Sequence, residues 1–103
     1  MYILTISYGQ PGDTAAFDAY YTESHLPLAG QIPGVQTFAY GKCDALDGQP
    51  PSAYAQAVLT FKDKKSAEVA LGSPQGQAAA ADFAHFASGG AAMTFTQVVV
   101  AFP

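Results

Sequence analysis

A chain of 103 residues can build one hydrophobic core and not two, so the sequence reads as a single domain spanning residues 1–103. Four basic residues against eight acidic ones give a formal charge of -4, which leaves nothing to neutralise a phosphate backbone and excludes nucleic acid as a partner. Cys43 stands alone, so neither an internal disulfide nor a thiolate zinc cluster can form, and no apolar run reaches the roughly 20 residues that cross a bilayer.

Tyr2 to Tyr8, YILTISY, is rich in β-branched and aromatic residues and ends at Gly9 and Pro11-Gly12, which predicts a first strand. Asp13 or Thr14 then caps a helix whose apolar stripe runs through Phe17, Tyr20, Tyr21, Ser24 and Leu28. His25 falls on that stripe and points inward, while Pro27 lacks the amide that would bond back to Glu23. The helix is expected to bend or restart just past His25. Pro33-Gly34 ends it, and Val35 to Lys42 and Ala53 to Phe61 read as strands around a loop holding Asp47, Gly48, Pro50 and Pro51. Asp63 to Leu71 is helical in pattern. Ser73-Pro74 reads as a new N-cap with proline at the first helical position, which divides the second helical region in two before it runs on to Ala87. Met93 to Phe102 completes the chain as a last strand.

The order strand, helix, strand, strand, helix, strand predicts an α+β, ferredoxin-like βαββαβ fold with a four-stranded antiparallel sheet and both helices on one face. Only 12% of residues are charged, against about a quarter in an ordinary soluble domain, and the chain carries six tyrosines and seven phenylalanines. Ile3 and the run Val98, Val99, Val100 place apolar side chains on both sheet faces. The open face is therefore expected to be covered by the same face of a second subunit, as a homodimer. The N-terminus has no basic segment leading into a long apolar run, so a cytoplasmic protein with no membrane contact is expected.

F-D-A-Y-Y-T-E-S-H-L-P-L-A-G-Q-I-P-G, residues 17 to 34, resembles the EthD family of dimeric α/β-barrel proteins, in spacing as well as residue type. S-P-Q-G-Q-A-A-A-A-D-F-A-H-F, residues 73 to 86, is similar to the second-helix segment of that family. The resemblance implies two ferredoxin-like subunits packed sheet to sheet, with a small-molecule cleft between helices and sheet in each. Chemistry is left open by it, because the wider superfamily holds cofactor-free monooxygenases, isomerases, decarboxylases and haem-binding proteins. His85 departs from the pattern, since relatives often carry a small polar residue there.

His25 is the candidate catalytic residue, because an imidazole near neutral pH both takes and gives a proton. Its bland alternative is to bond a carbonyl freed by Pro27 and hold the joint. Tyr8, Tyr21, Tyr40 and Tyr54 are candidate substrate-binding residues as well as packing residues, with Tyr20 read as packing alone or as one more hydroxyl within reach. Asp82 and His85, three residues apart on a helix, form a carboxylate-imidazole pair that either contacts a ligand or is a solvated surface pair. No cofactor and no metal are expected: two histidines and Asp82 could supply a ligand set, but their spacing gives no sign of convergence. Cys43 has no activating neighbour, and no glycine-rich phosphate loop is present.

The expected ligand is a small apolar or aromatic molecule, acted on by proton transfer at His25 in a cofactor-free oxygenase, isomerase or lyase type of reaction. A non-catalytic binding or accessory protein is the alternative, and a haem-binding barrel a further one.

Overall fold

The computed structural model describes residues 1–103. Seven residues, Tyr2–Tyr8, form β1, followed by a helical segment capped by Asp13, whose carboxylate accepts from the Ala16 amide at 3.0 Å. That segment is one winding in three parts: α1 at Thr14–Tyr20, a π turn at Tyr21–His25, and α2 at Leu26–Ala29. The chain neither stops nor restarts at Pro27. The turn before it widens instead, with the Leu26 amide donating to the Tyr21 carbonyl five residues back. A proline ring would clash with the Glu23 carbonyl in a regular α-helix, and the wider turn relieves that conflict without ending the helix.

Strands β2 (Thr37–Lys42) and β3 (Ala55–Phe61) form the central hairpin, and α3 (Lys64–Gly72) starts at Asp63, which accepts from the Ser66 amide at 2.8 Å. Ser73 ends α3 and caps α4 (Pro74–Ala81), accepting from the Gly76 amide at 3.1 Å, so the second helical region is divided where the Ser-Pro pair predicted. Gly76 sits against the end of α3, where a Cβ would lie 2.3 Å from the Ala70 carbonyl oxygen. Only glycine permits that approach. A short 3-10 turn, Asp82–His85, follows α4, and β4 spans Ala91–Gln97.

The sheet is four-stranded and antiparallel in the order β2-β3-β1-β4, with Leu4 facing Leu59 on one side and Phe95 on the other. This is the ferredoxin-like arrangement. Leu4, Ile6 and Tyr8 from β1 and Ala55, Ala57, Leu59 and Phe61 from β3 share one face, where they meet Phe17, Tyr21, Ala67, Ala70 and Phe86 from the helices. The period-two alternation of strands puts Ile3, Thr5, Ser7, Gln56, Val58, Thr60, Thr94 and Thr96 on the opposite face, and none of these is charged. The open face is thus neutral and hydroxyl-rich instead of uniformly apolar.

The last strand is displaced from its expected position. It begins at Ala91 and ends at Gln97, and Val98 to Pro103 lie outside the sheet. The ladder with β1 closes at the Tyr2–Gln97 pair and a final bond from the Val98 amide to the Met1 carbonyl, so the three valines meet no strand that could pair with them. High β-propensity does not form a strand without a partner. No helix is long and apolar enough to cross a membrane.

Candidate functional site

His25 occupies the last position of the π turn and is 3% exposed. Its Nδ1 lies 2.9 Å from Oδ2 of Asp82, the first residue of the 3-10 turn after α4. The other carboxylate oxygen, Oδ1, accepts from the Tyr20 hydroxyl at 2.7 Å. One carboxylate therefore joins the first helical region to the end of the second. Burial pushes the Asp82 carboxyl up, but the bonds from Tyr20 and His25 outweigh it and hold the group below the usual carboxylate range. The same bond to Asp82 raises the Tyr20 phenol above its ordinary value.

An ionised carboxylate only accepts, so Nδ1 of a neutral His25 carries the ring proton and Nε2 keeps its lone pair. The ring's hydrogen bond is the one at Nδ1, and Nε2 makes none to the protein. Aromatic rings surround the imidazole, with centroids 5.0 Å away for Tyr21, 5.5 Å for Phe83 and 4.7 Å for Phe86. His25 also lines a narrow cavity of about 30 Å3 between sheet and helices, whose walls are formed by Leu4, Ile6, Tyr8, Tyr21, Ala79 and Phe83. The small side chains of α4, Gly76, Ala79 and Ala80, leave this space open on the helix side. It has no room for a haem.

Tyr8 and Tyr21 are fully enclosed, Tyr40 partly, and all three hydroxyls are buried without a partner. Desolvation raises the Tyr8 and Tyr21 phenols well above the ordinary range, and pushes Tyr40 up to about 12. All three stay protonated at neutral pH. Tyr40 stacks on Tyr21 at 3.8 Å between centroids.

Tyr54 and His85 stand apart from this group. The Tyr54 hydroxyl donates to Asp18 Oδ1 at 2.8 Å, and Lys42 Nζ donates to Oδ2 of the same carboxylate at 2.9 Å, making a surface latch between α1 and the hairpin. His85 is exposed and lines a separate surface hollow with Asp13, Phe17 and Tyr20. Asp82 thus orients His25 from across the molecule, while the exposed His85 three residues on makes no hydrogen bond to it. Tyr20 was legible as a packing residue or as one more hydroxyl within reach of a ligand, and not as a partner of Asp82. Its partnership with Asp82 depends on the π turn, which brings residues five apart into line where an α-helix aligns those three or four apart.

A larger, open trough of about 750 Å3 lies between the β2–β3 loop and the open sheet face, lined by Gly41, Cys43, Asp47 and Gln56 among others. Neither histidine reaches it. No three His, Cys, Asp or Glu side chains converge anywhere in the structure to hold a metal ion.

The EthD domain model matches residues 10–90 of this chain. A protein of Rhodococcus erythropolis, described as an uncharacterised 11.0 kDa protein in the thcB-thcC intergenic region, is 56% identical over 103 residues, covering 100% of both chains. The crystal structure of an EthD family protein from Bacillus halodurans C-125 matches with a TM-score of 0.89 at 25% identity, over 96% of this chain and 99% of that one. A dimeric ferredoxin-like protein from Jannaschia sp. CCS1 matches with a TM-score of 0.69 at 18% identity, over 95% of this chain and all of that one. With its matched segments containing both the His25 turn and Asp82, the chain belongs to the EthD domain family.

Proposed function

We propose that this protein is a homodimeric enzyme that binds a small, largely apolar organic molecule in each helix-sheet cleft and acts on it by proton transfer at His25. The observation that carries the reading is the bonding of the buried imidazole: Nδ1 is committed to Asp82, Nε2 makes no hydrogen bond, and the residue lines an apolar cavity. A carboxylate behind an imidazole fixes its tautomer and orients the far nitrogen, which is the arrangement of a general base. Tyr20 steadies that carboxylate. No cofactor is needed for such a step.

Dimerisation is supported by the uncharged open face of the sheet and by the dimeric state of ferredoxin-like relatives. Proton transfer is tested by incubating the protein in D2O with candidate carbon acids and following C–H exchange by NMR. Wild type exchanges, and His25→Gln does not; equal exchange by both variants removes the role of His25.

A second reading is an accessory protein that carries such a compound for a partner enzyme. It is favoured by the position of His25, whose bond to Asp82 ties two helical regions together and gives the ring a purpose in the fold. Ligand retained through gel filtration, with neither turnover nor exchange, selects it.

A further inference from the structure

Two buried hydroxyls on facing walls of the His25 cavity interact with each other, yet neither makes a hydrogen bond of ordinary length. Tyr8 stands on the sheet floor and Tyr21 on the helical wall, their ring centroids 5.7 Å apart, and each side chain is at least 99% enclosed. Leaving a hydroxyl buried and unpartnered is costly, and native proteins retain such groups where something else completes them. Packing alone does not account for them, since phenylalanine at either position would present the same ring to Phe17, Phe83 and Phe86 without the cost. The cavity of about 30 Å3 is far smaller than a whole organic substrate. It has room for one water, or for a polar group of similar size at the end of a larger molecule. Phe38 on β2 and Met93 on β4, lining residues open to solvent at opposite edges of the sheet, each offer apolar surface to a flat body lying outside.

Resting on the reading of His25 as a base, we propose that Tyr8 and Tyr21 form a receptor for a single ligand oxygen, and that the substrate class is a flat carbonyl compound or phenol with an acidic proton next to that oxygen. Both phenols donate to the oxygen while the apolar body lies outward, over Phe38 at the β2 edge or Met93 at the β4 edge. In a carbonyl substrate, the C–H bond beside the carbonyl breaks and its proton passes to Nε2 of His25. The electron pair becomes the C=C bond of an enolate, whose negative charge collects on the oxygen held by the two hydroxyls. Return of the proton from Nε2 to another carbon of the conjugated system completes an isomerisation with no oxidant and no net loss of atoms. Burial keeps both phenols protonated, which preserves them as donors. Tyr40, the third unpartnered hydroxyl, lies behind Tyr21 and does not line this cavity, so it has no part in the receptor.

The test uses 4-nitrophenol as a mimic of the enolate and nitrobenzene as its counterpart without the hydroxyl, titrated into wild type, Tyr8→Phe, Tyr21→Phe and His25→Gln below the pKa of the free phenol. Wild type is expected to bind 4-nitrophenol and turn it into the yellow phenolate. Each Tyr→Phe variant is expected to weaken 4-nitrophenol by about ten-fold or more while leaving nitrobenzene within about two-fold. Both variants are also expected to melt at the same or a higher temperature than wild type, since each removes an unpaired buried hydroxyl; a receptor loses affinity where a structural tyrosine would lose stability. Undiminished 4-nitrophenol affinity in both variants overturns the proposal, as does the absence of binding to wild type. Failure of the base reading looks different: 4-nitrophenol binds and depends on both tyrosines, yet stays colourless in wild type as in His25→Gln.

Discussion

Tyr20 and His25, five residues apart in the chain, reach the two oxygens of the same carboxylate, at 2.7 and 2.9 Å. Each fixes the position of the other through Asp82. A carboxylate held from two sides cannot rotate, so the imidazole plane is set as firmly as its tautomer.

The pH dependence of stability follows from the depressed Asp82 carboxyl. Its folded value lies below the unfolded value of about 3.9, so the unfolded chain binds more protons as acid is added. The stabilisation is present in full above that unfolded value and is lost as pH falls through the folded one. Asp18 and Asp63 are depressed as well and add to the acid limb. Comparison with Asp82→Asn isolates the single contribution: urea midpoints from about pH 6 down to pH 2 should fall less steeply in the variant.

Tyr20→Phe removes one of the two bonds to Asp82 while keeping the ring, which stacks on Phe86 at 5.5 Å. The variant is expected to unfold at a lower urea midpoint than wild type, since a hydrogen bond to a charged acceptor is lost. NMR titration of Asp82 should show its pKa moving up toward the ordinary carboxylate value. An unmoved Asp82 in a destabilised variant would mean that the ring and not the bond was responsible.

Gly76→Ala places a methyl group within the contact distance of the Ala70 carbonyl and of Leu71. Backbone cannot swing aside as a flexible side chain can, so α4 must shift from the end of α3. We expect a loss of about 2–3 kcal/mol, measurable by chemical denaturation, and looser packing of the Ala79 wall of the His25 cavity.

Thr5→Lys tests the dimer. Thr5 lies opposite Val58 on one side and Thr94 on the other, in the middle of the uncharged face. A lysine there brings two like charges together in a sheet-to-sheet dimer and should halve the mass seen by light scattering, with unchanged far-UV circular dichroism. A wild-type protein already monomeric at micromolar concentration contradicts the dimer outright.

Much of this architecture was readable from local chemistry. Asp13 and Ser73 declare helix starts through side chains that satisfy free amides, and alternation within YILTISY marks the strand that carries Leu4, Ile6 and Tyr8 into the core. Val98, Val99 and Val100 misled because strand propensity describes a side chain while pairing requires a neighbouring chain, and the β1 ladder ends before them. The inward direction of His25 came from its place on the stripe, but its partner did not. Asp82 is 57 residues away, and such a pairing is decided by how two helical regions cross the sheet. Pro27 signalled a disturbance whose form, a wider turn and not a break, depends on the core holding both sides of the helix in place.

The wide turn before Pro27 carries an implication for how a site of this kind arises and is lost. Within a continuous helix, one residue added or removed changes length by only about 1.5 Å but changes phase by about 100°. The π turn closes its bond over five residues where an α turn spans four, so it takes up one extra residue and lets α2 keep Ala29 on the core. A single added residue is thus absorbed locally here, widening the backbone beside the imidazole without turning the rest of the helix away from the core.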